Sequence, residues 1–431
     1  MSKKRARQAK REFWTALPAN LLSLVFGCLN YRCLFICYGV CRSWNKIPAS
    51  WAKITVLKDE FLQNMHVCQK SQVKSATVTT HLLDQFIELR NLEHLWLIQN
   101  THVTRERTFL DLLTQFPKLT DLDLSCVNHT ILGEEYHKLE HLPCLRRVVL
   151  AWVRHRDMDW IGNMVFLRDL QIKFAHDVRD ISIIMLNKLR RLETLTLLCS
   201  RTYMITATGQ EAALKTLTEL KRLTINKCKV LPSFEFLAKY LTSLESLELV
   251  NNGESLLDES LSAISKFRSL RSLTLDGIQI QPCLPVKLQY LSLSLNGKTE
   301  ESHLLSYFCL TLRELWLKGE YHIWSRQLCN TLANLPVLRT LSLTECYTKT
   351  NDDGVIRSFA DDGLAELARS KSLRDLTLQF CMTVTDNGIA ALKASGLVNF
   401  TAQQCFGLTE RAIHEVKRHL FRKSLAVVKA T

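Results

Sequence analysis

A chain of 431 residues exceeds what one hydrophobic core usually spans, so several domains or a repeat array is expected. With 47% hydrophobic and 23% charged residues, and only 14 Gly and 8 Pro, the composition excludes a disordered or linker-rich chain. The formal net charge of +14 favours acidic partners and gives weak, nonspecific attraction to nucleic acid. The 15 cysteines are odd in number, form no C-x-x-C pair and scatter through apolar positions. That is the pattern of a reduced, cytoplasmic or nuclear protein and not of a secreted disulfide framework.

The chain opens on a basic tail, residues 1–12, with Lys3, Lys4, Arg5, Arg7, Lys10 and Arg11. It reads as a flexible arm that also resembles a nuclear localisation signal. Behind it, Phe13 to Tyr31 is a run of 19 residues without a charge. Length and flanks fit a membrane signal-anchor. Pro18, Asn20, Gly27 and Asn30 interrupt it, and such residues are costly or disruptive in mid-bilayer. Leu17, Leu21, Leu22, Val25, Phe26 and Leu29 instead lie on one face of a helix, with Pro18 at a first helical position. A second apolar segment, Cys33 to Val40, leads into Val40-Cys41-Arg42-Ser43-Trp44. A membrane span, a capping helix pair and a partner-docking module are the three readings of residues 13–50.

Beyond residue 50 one unit recurs: leucine, two variable residues, leucine, one variable residue, leucine. It starts at 92, 119, 145, 167, 192, 220, 244, 270, 288, 312, 338, 373 and 397, a mean spacing of about 25 residues. Units beginning at Trp51 and Val73 are degenerate forms. The alternation predicts a short strand whose inward leucines stack on those of its neighbours, while the residues between strands carry helical patterns at 362–368, 386–392 and 411–416. The interval from 338 to 373 is the longest and has room for an inserted loop. The interval from 270 to 288, with Pro282 and Pro285, is the shortest and predicts an irregular turn without a helix. Three residues past the last leucine a small polar or thiol residue recurs: Asn100, Cys228, Asn252, Asn296, Cys346, Cys381 and Cys405. This position is expected to turn inward and satisfy buried backbone groups.

The array resembles the leucine-rich repeat family, its last units the cysteine-containing subtype, which in intracellular proteins often follows an F-box. The opening stretch is similar to that module: Leu17, Pro18, Leu21, Leu22, Val25, Phe26, Leu29, Leu34, Val40, Cys41, Arg42 and Trp44 match its pattern of Leu-Pro, spaced aliphatics and Val-Cys-Arg-x-Trp. Asn20, where the family commonly has Glu, and the cysteine-rich second segment depart from it. The resemblance implies an α/β architecture: a small helical F-box at 13–50, then a leucine-rich repeat solenoid at 51–431 with parallel strands on its concave face and helices on its convex face. It also implies a substrate-recognition subunit of a Skp–cullin–F-box ubiquitin ligase, binding a Skp-type adaptor and, through it, a cullin scaffold. Of the matching residues, Leu17, Pro18, Leu21, Leu22, Val25, Phe26, Leu29, Val40, Cys41 and Trp44 would contact the adaptor. The alternative is a leucine-rich repeat scaffold without ubiquitin function, or a membrane-anchored receptor.

The variable strand positions form the expected binding face. Most middle positions are small and polar, but Trp96 and Trp316 are not, and Tyr290 lies one repeat before Trp316. Large exposed aromatics dominate binding energy, so Tyr290, Trp316 and Lys318, with Trp96 as a lesser candidate, are the expected contacts for a protein substrate. A basic residue often follows the first leucine, as at Arg146, Arg168, Lys221, Arg271, Arg313, Arg339 and Arg374. This column is either a stripe for an acidic ligand or a solvated rim paired with nearby carboxylates. No P-loop, G-x-G-x-x-G, H-E-x-x-H or G-x-S-x-G pattern occurs, so no enzyme, cofactor or metal is expected, and neither is specific nucleic-acid or membrane binding.

Overall fold

A computed structural model describes residues 53–55, 73–79, 83, 86–98, 109–127, 133–199, 205–228, 231–250, 262–278, 287–295, 310–319, 326–345, 360–381 and 383–430. The chain divides into two compact units, Met1–Lys173 and Phe174–Thr431. The F-box-like segment 13–50 and its adaptor residues lie outside the described residues, as do 279–286 in the shortest interval and 346–359 in the longest.

The first unit holds strands β1 (Lys53–Thr55), β2 (Ser75–Thr79), β3 (His94–Ile98), β4 (Asp121–Cys126), β5 (Arg147–Val153) and β6 (Asp169–Phe174). The second holds β7 (Thr194–Leu198), β8 (Arg222–Asn226), β9 (Ser246–Val250), β10 (Ser272–Ile278), β11 (Tyr290–Leu295), β12 (Glu314–Gly319), β13 (Thr340–Thr344), β14 (Asp375–Gln379) and β15 (Asn399–Gln403). From β1 to β5 and from β7 to β15 every strand runs parallel to the next in chain order, one strand per repeat. The degenerate units at Trp51 and Val73 thus supply real strands, β1 and β2.

The pairing register follows the leucines. Leu195, Leu223, Leu247, Leu273, Leu291, Leu315, Leu341, Leu376 and Phe400 are successive partners across nine strands. All nine are buried to within 3% of full exclusion. Burying such a side chain stabilises the fold by about 1.5–3 kcal/mol. The chain enters β3–β6 and β8–β15 through a repeated fork in which two consecutive amides donate to one carbonyl of the preceding repeat. Arg313 and Glu314 donate to Gln289, and Arg339 and Thr340 donate to Arg313.

The corner after the strand is also repeated. Two residues past the third aliphatic position, Trp152, Lys227, Glu345, Phe380 and Gln404 adopt positive φ, between 52° and 59°. That conformation is uncommon for non-glycine residues and turns the next side chain inward. Val153, Cys228, Cys381 and Cys405 are buried there. Cys381 Sγ lies 3.6 Å from the Leu343 carbonyl and 3.5 Å from that of Gln379; Cys405 Sγ lies 3.7 Å from Leu378 O and 3.4 Å from Gln403 O. The neighbouring Cys381 and burial push the Cys405 thiol far above its usual range, so it stays protonated and unreactive. Asn100, Asn252, Asn296 and Cys346 lie outside the described residues. One corner differs from the sequence expectation of free thiols throughout: Cys228 is disulfide-bonded to Cys199 of the preceding repeat, with a Cα–Cα distance of 5.1 Å. Among the described residues Cys126, Cys144, Cys329, Cys381 and Cys405 are not disulfide-bonded.

Helical segments connect the strands: α1 (Phe109–Leu113), α2 (Met158–Asn163), α3 (Asp180–Ile183), α4 (Ala207–Leu214), α5 (Phe234–Tyr240), α6 (Arg326–Ala333), α7 (Ala360–Ala368), α8 (Asp386–Ala390) and α9 (Glu410–Ala430). The helical patterns expected at 362–368 and 386–392 correspond to α7 and to α8 with its 3-10 extension Ala391–Ala394. The pattern at 411–416 is only the first part of a helix of 21 residues, because no Gly or Pro follows to stop it.

Successive helix starts are tied by an aspartate–threonine rung. Thr206 donates its amide and hydroxyl to the two oxygens of Asp180, at 2.7 and 2.6 Å. Thr385 does the same to Asp361 (3.0 and 2.5 Å), and Thr409 to Asp386 (2.8 and 2.7 Å). Each threonine in turn caps its own helix. Two rungs require a glycine: a Cβ on Gly209 would fall 2.1 Å from Asp180 Oδ1, and one on Gly388 would fall 2.2 Å from Asp361 Oδ1. Between α6 and α7, the largely buried Glu366 receives Arg326 at 2.8 Å and Arg369 at 3.0 Å. The Arg326 hydrogen bond holds the Glu366 carboxyl below the usual glutamate range.

Two outcomes follow. Gly388→Ala should lower stability by about 1–3 kcal/mol, because the added methyl displaces the Asp361 carboxylate from Thr385; urea unfolding measures it. Glu366 has a depressed folded-state pKa, so its contribution is present above the unfolded value of about 4.3 and is lost as the pH falls through the folded value. Glu366→Gln should therefore lower the melting temperature at pH 7, and the gap from wild type should shrink toward pH 3.

Candidate functional site

In each strand the residues between the inward leucines face out, giving three outward positions per repeat. On β12 these are Glu314, Trp316 and Lys318, and the burial alternates residue by residue. Trp316 pairs in register with Ser292 on β11 and Ser342 on β13, and the next strands out carry Thr274 and Thr377. A large indole thus stands among small hydroxyl side chains. Of the described tryptophans (96, 152, 160 and 316), Trp316 alone is in the exposed class, at 42%. Its register partner Ser342, although at an outward position, is only 3% exposed. At 42% exposure the ring offers a solvent-facing surface.

Tyr290 opposes Glu314, one strand across and two residues before Trp316, a diagonal of about 8 Å between α-carbons. It is half-buried. Lys318 lies beside Ser294 and Thr344, and its Nζ is 3.5 Å from Glu345 Oε2, at the positive-φ corner of the next repeat. The three candidates in the second unit are thus brought onto one patch, with the Lys318 charge already shared. Trp96 belongs to the first unit, on β3. It is half-buried, with its ring 6.3 Å from that of His94, whose Nδ1 is 2.9 Å from Asp121 Oδ2.

The basic column resolves into different roles. Arg146 donates from Nη1 to the carbonyls of Pro143 and Leu145, and Arg374 donates from Nη1 to those of Lys371, Leu373 and Gly396. These guanidiniums staple the turn entering the strand. Lys221 pairs with Glu193 at 2.8 Å. The turn staples leave no mark in the sequence, because their acceptors are backbone carbonyls, which every residue carries. Among the described residues no helix is long and apolar enough to cross a membrane; Phe13 to Tyr31 lies outside them.

No protein-family model matches the chain, and no curated protein matches it in sequence. Among solved structures it is similar to a chain in the crystal structure of the yeast Rad7 and Elc1 complex, with 16% identity, 96% of each chain covered and a TM-score of 0.50. It is also similar to an internalin of Listeria monocytogenes, 17% identical, over 74% of this chain and 92% of that one, with a TM-score of 0.46. At such identities the likeness is one of fold alone, that of stacked repeats with one parallel strand each.

If Trp316 anchors a bound protein, Trp316→Ala should weaken that binding by on the order of 2 kcal/mol, about 30-fold in Kd, with little change in melting temperature because the indole is partly exposed. Affinity purification with the variant, followed by titration of the captured protein, reads both.

Proposed function

We propose that the chain is the substrate-recognition subunit of a Skp–cullin–F-box ubiquitin ligase. The observation that carries the reading is the conjunction of the Leu-Pro to Val-Cys-Arg-x-Trp pattern at 17–44 with a leucine-rich repeat array that exposes an aromatic anchor on its strand face. Leu17, Pro18, Leu21, Leu22, Val25, Phe26, Leu29, Val40, Cys41 and Trp44 bind a Skp-type adaptor by apolar burial, and the adaptor joins the cullin. Tyr290, Trp316 and Lys318, with Trp96 in the other unit, contact the target protein. The chain makes no covalent bond. It acts by tethering, which raises the effective concentration of target lysines near the ubiquitin-charged enzyme.

The 19-residue uncharged run from Phe13 to Tyr31 favours a second reading, a membrane-anchored repeat receptor. Carbonate extraction separates the two: an anchored chain stays with the membrane pellet and the ligase subunit washes out. Replacing Leu17, Pro18 and Trp44 together by Ala should abolish co-purification of the adaptor and cullin while the array stays folded. Adaptor recovery equal to wild type would overturn the assignment.

A further inference from the structure

The last helix, α9, packs against the array through Val416 and Leu420, both 1% exposed and one turn apart. Its opposite face is basic. Arg411, His414, Arg418, His419 and Arg422 line a groove of about 550 Å³ together with Lys393, from the 3-10 turn before β15, and Glu415. The groove's single carboxylate is already engaged: Lys393 Nζ lies 2.6 Å from Glu415 Oε1, and that hydrogen bond holds the Glu415 carboxyl below its usual range. Among the described residues Arg411, Arg418 and Arg422 form no direct ion pair; Arg411 and Arg418 feel the charge of Glu415, which Lys393 already holds, and all three residues are exposed. Three like charges on one helix face repel one another, so an anionic occupant relieves a standing cost.

We infer that this groove binds an acidic peptide segment of a partner protein. The spacing matches an extended chain. Arg411 to Arg418 spans about 10.5 Å along the helix axis and Arg418 to Arg422 about 6 Å. In an extended peptide, residues three apart are separated by about 10 Å and residues two apart by about 6.6 Å. A Glu-x-x-Glu-x-Glu register therefore sets one carboxylate against each guanidinium, whose planar fork suits a carboxylate. A nucleic acid fits less well, because the groove lining has no Phe, Tyr or Trp on which bases could stack. A lipid surface fits less well, because Phe421 is the one large apolar side chain on the exposed side of the described part of the helix. The groove lies between helical segments and not on the strand face, so its occupancy is independent of the ligase reading.

Fluorescence anisotropy of the full chain with a labelled GSEASESEG peptide tests the inference, with GSQASQSQG as the neutral control. The acidic peptide should bind at low salt and the neutral one should not. Arg411→Gln, Arg418→Gln and Arg422→Gln combined should weaken binding about tenfold or more, whereas a charge-matched set, Arg190→Gln, Arg268→Gln and Lys371→Gln, should leave it nearly unchanged. Glu415→Gln should tighten it, since it removes the groove's negative charge and frees Lys393. Equal loss in both triple variants would reduce the effect to net charge and overturn the site. Tighter binding of an oligothymidylate or of phosphatidylserine vesicles than of the peptide would overturn the choice of ligand.

Discussion

Every other feature of this molecule depends on the in-register stacking of inward aliphatic side chains across parallel strands. The period of a strand is two, so a slip of one residue would send the nine-residue ladder from Leu195 to Phe400 to the solvent side and bring Trp316, Lys318 and their neighbours inward. The register that buries the leucines is thus the same constraint that presents the outward residues. No separate interaction is needed to build the outward face. The core specifies it, and only the side chains at the outward positions are free to vary.

Stacking alone leaves the strand ends unsolved, because a backbone leaving a sheet carries amides and carbonyls that need partners. Several repeats solve this in the same few ways. The fork of two amides on one carbonyl closes the entry, a positive-φ residue closes the exit, and the inward thiols of Cys381 and Cys405 sit against carbonyls of their own and the preceding strand. On the helical side the Asp–Thr rungs tie one helix start to the next. The third rung shows that glycine is a local requirement and not a rule, since Ala412 occupies the position held by Gly209 and Gly388 in the other two.

The leucine spacing made the strands legible from the sequence, including the two degenerate units, because the same four-residue alternation both encodes and buries a strand. The inward position after the strand was legible for the same reason: it lies at a constant offset from the last leucine. What was hidden depends on the distance between repeats, which is not constant. Asp180 and Thr206 are 26 residues apart, Asp361 and Thr385 are 24, and Asp386 and Thr409 are 23, so no fixed spacing marks the rung. Cys199 and Cys228 are hidden likewise: they sit at different offsets from their leucines and meet only because one repeat stacks on the other. Trp316 could be named from its strand position, whereas its 42% exposure is a product of its small neighbours Ser292 and Ser342.

The surplus of positive charge is distributed in a way that separates two kinds of recognition. Around Trp316 the charges alternate in sign, with Glu314 on one side and the Lys318–Glu345 pair on the other, so the long-range field there is weak and affinity must come from burying the indole. Along the groove face of α9 positive charge predominates: Arg411, Arg418 and Arg422 stand there with Glu415 as the one acid. Such a face attracts a partner over roughly a Debye length, about 8 Å at physiological ionic strength, before any contact forms. Apolar anchoring is insensitive to salt and sets the dissociation rate, whereas a predominantly positive face is salt-sensitive and sets the encounter rate. The two proposed surfaces therefore differ in the physics of partner selection, and salt dependence distinguishes which of them a given partner uses.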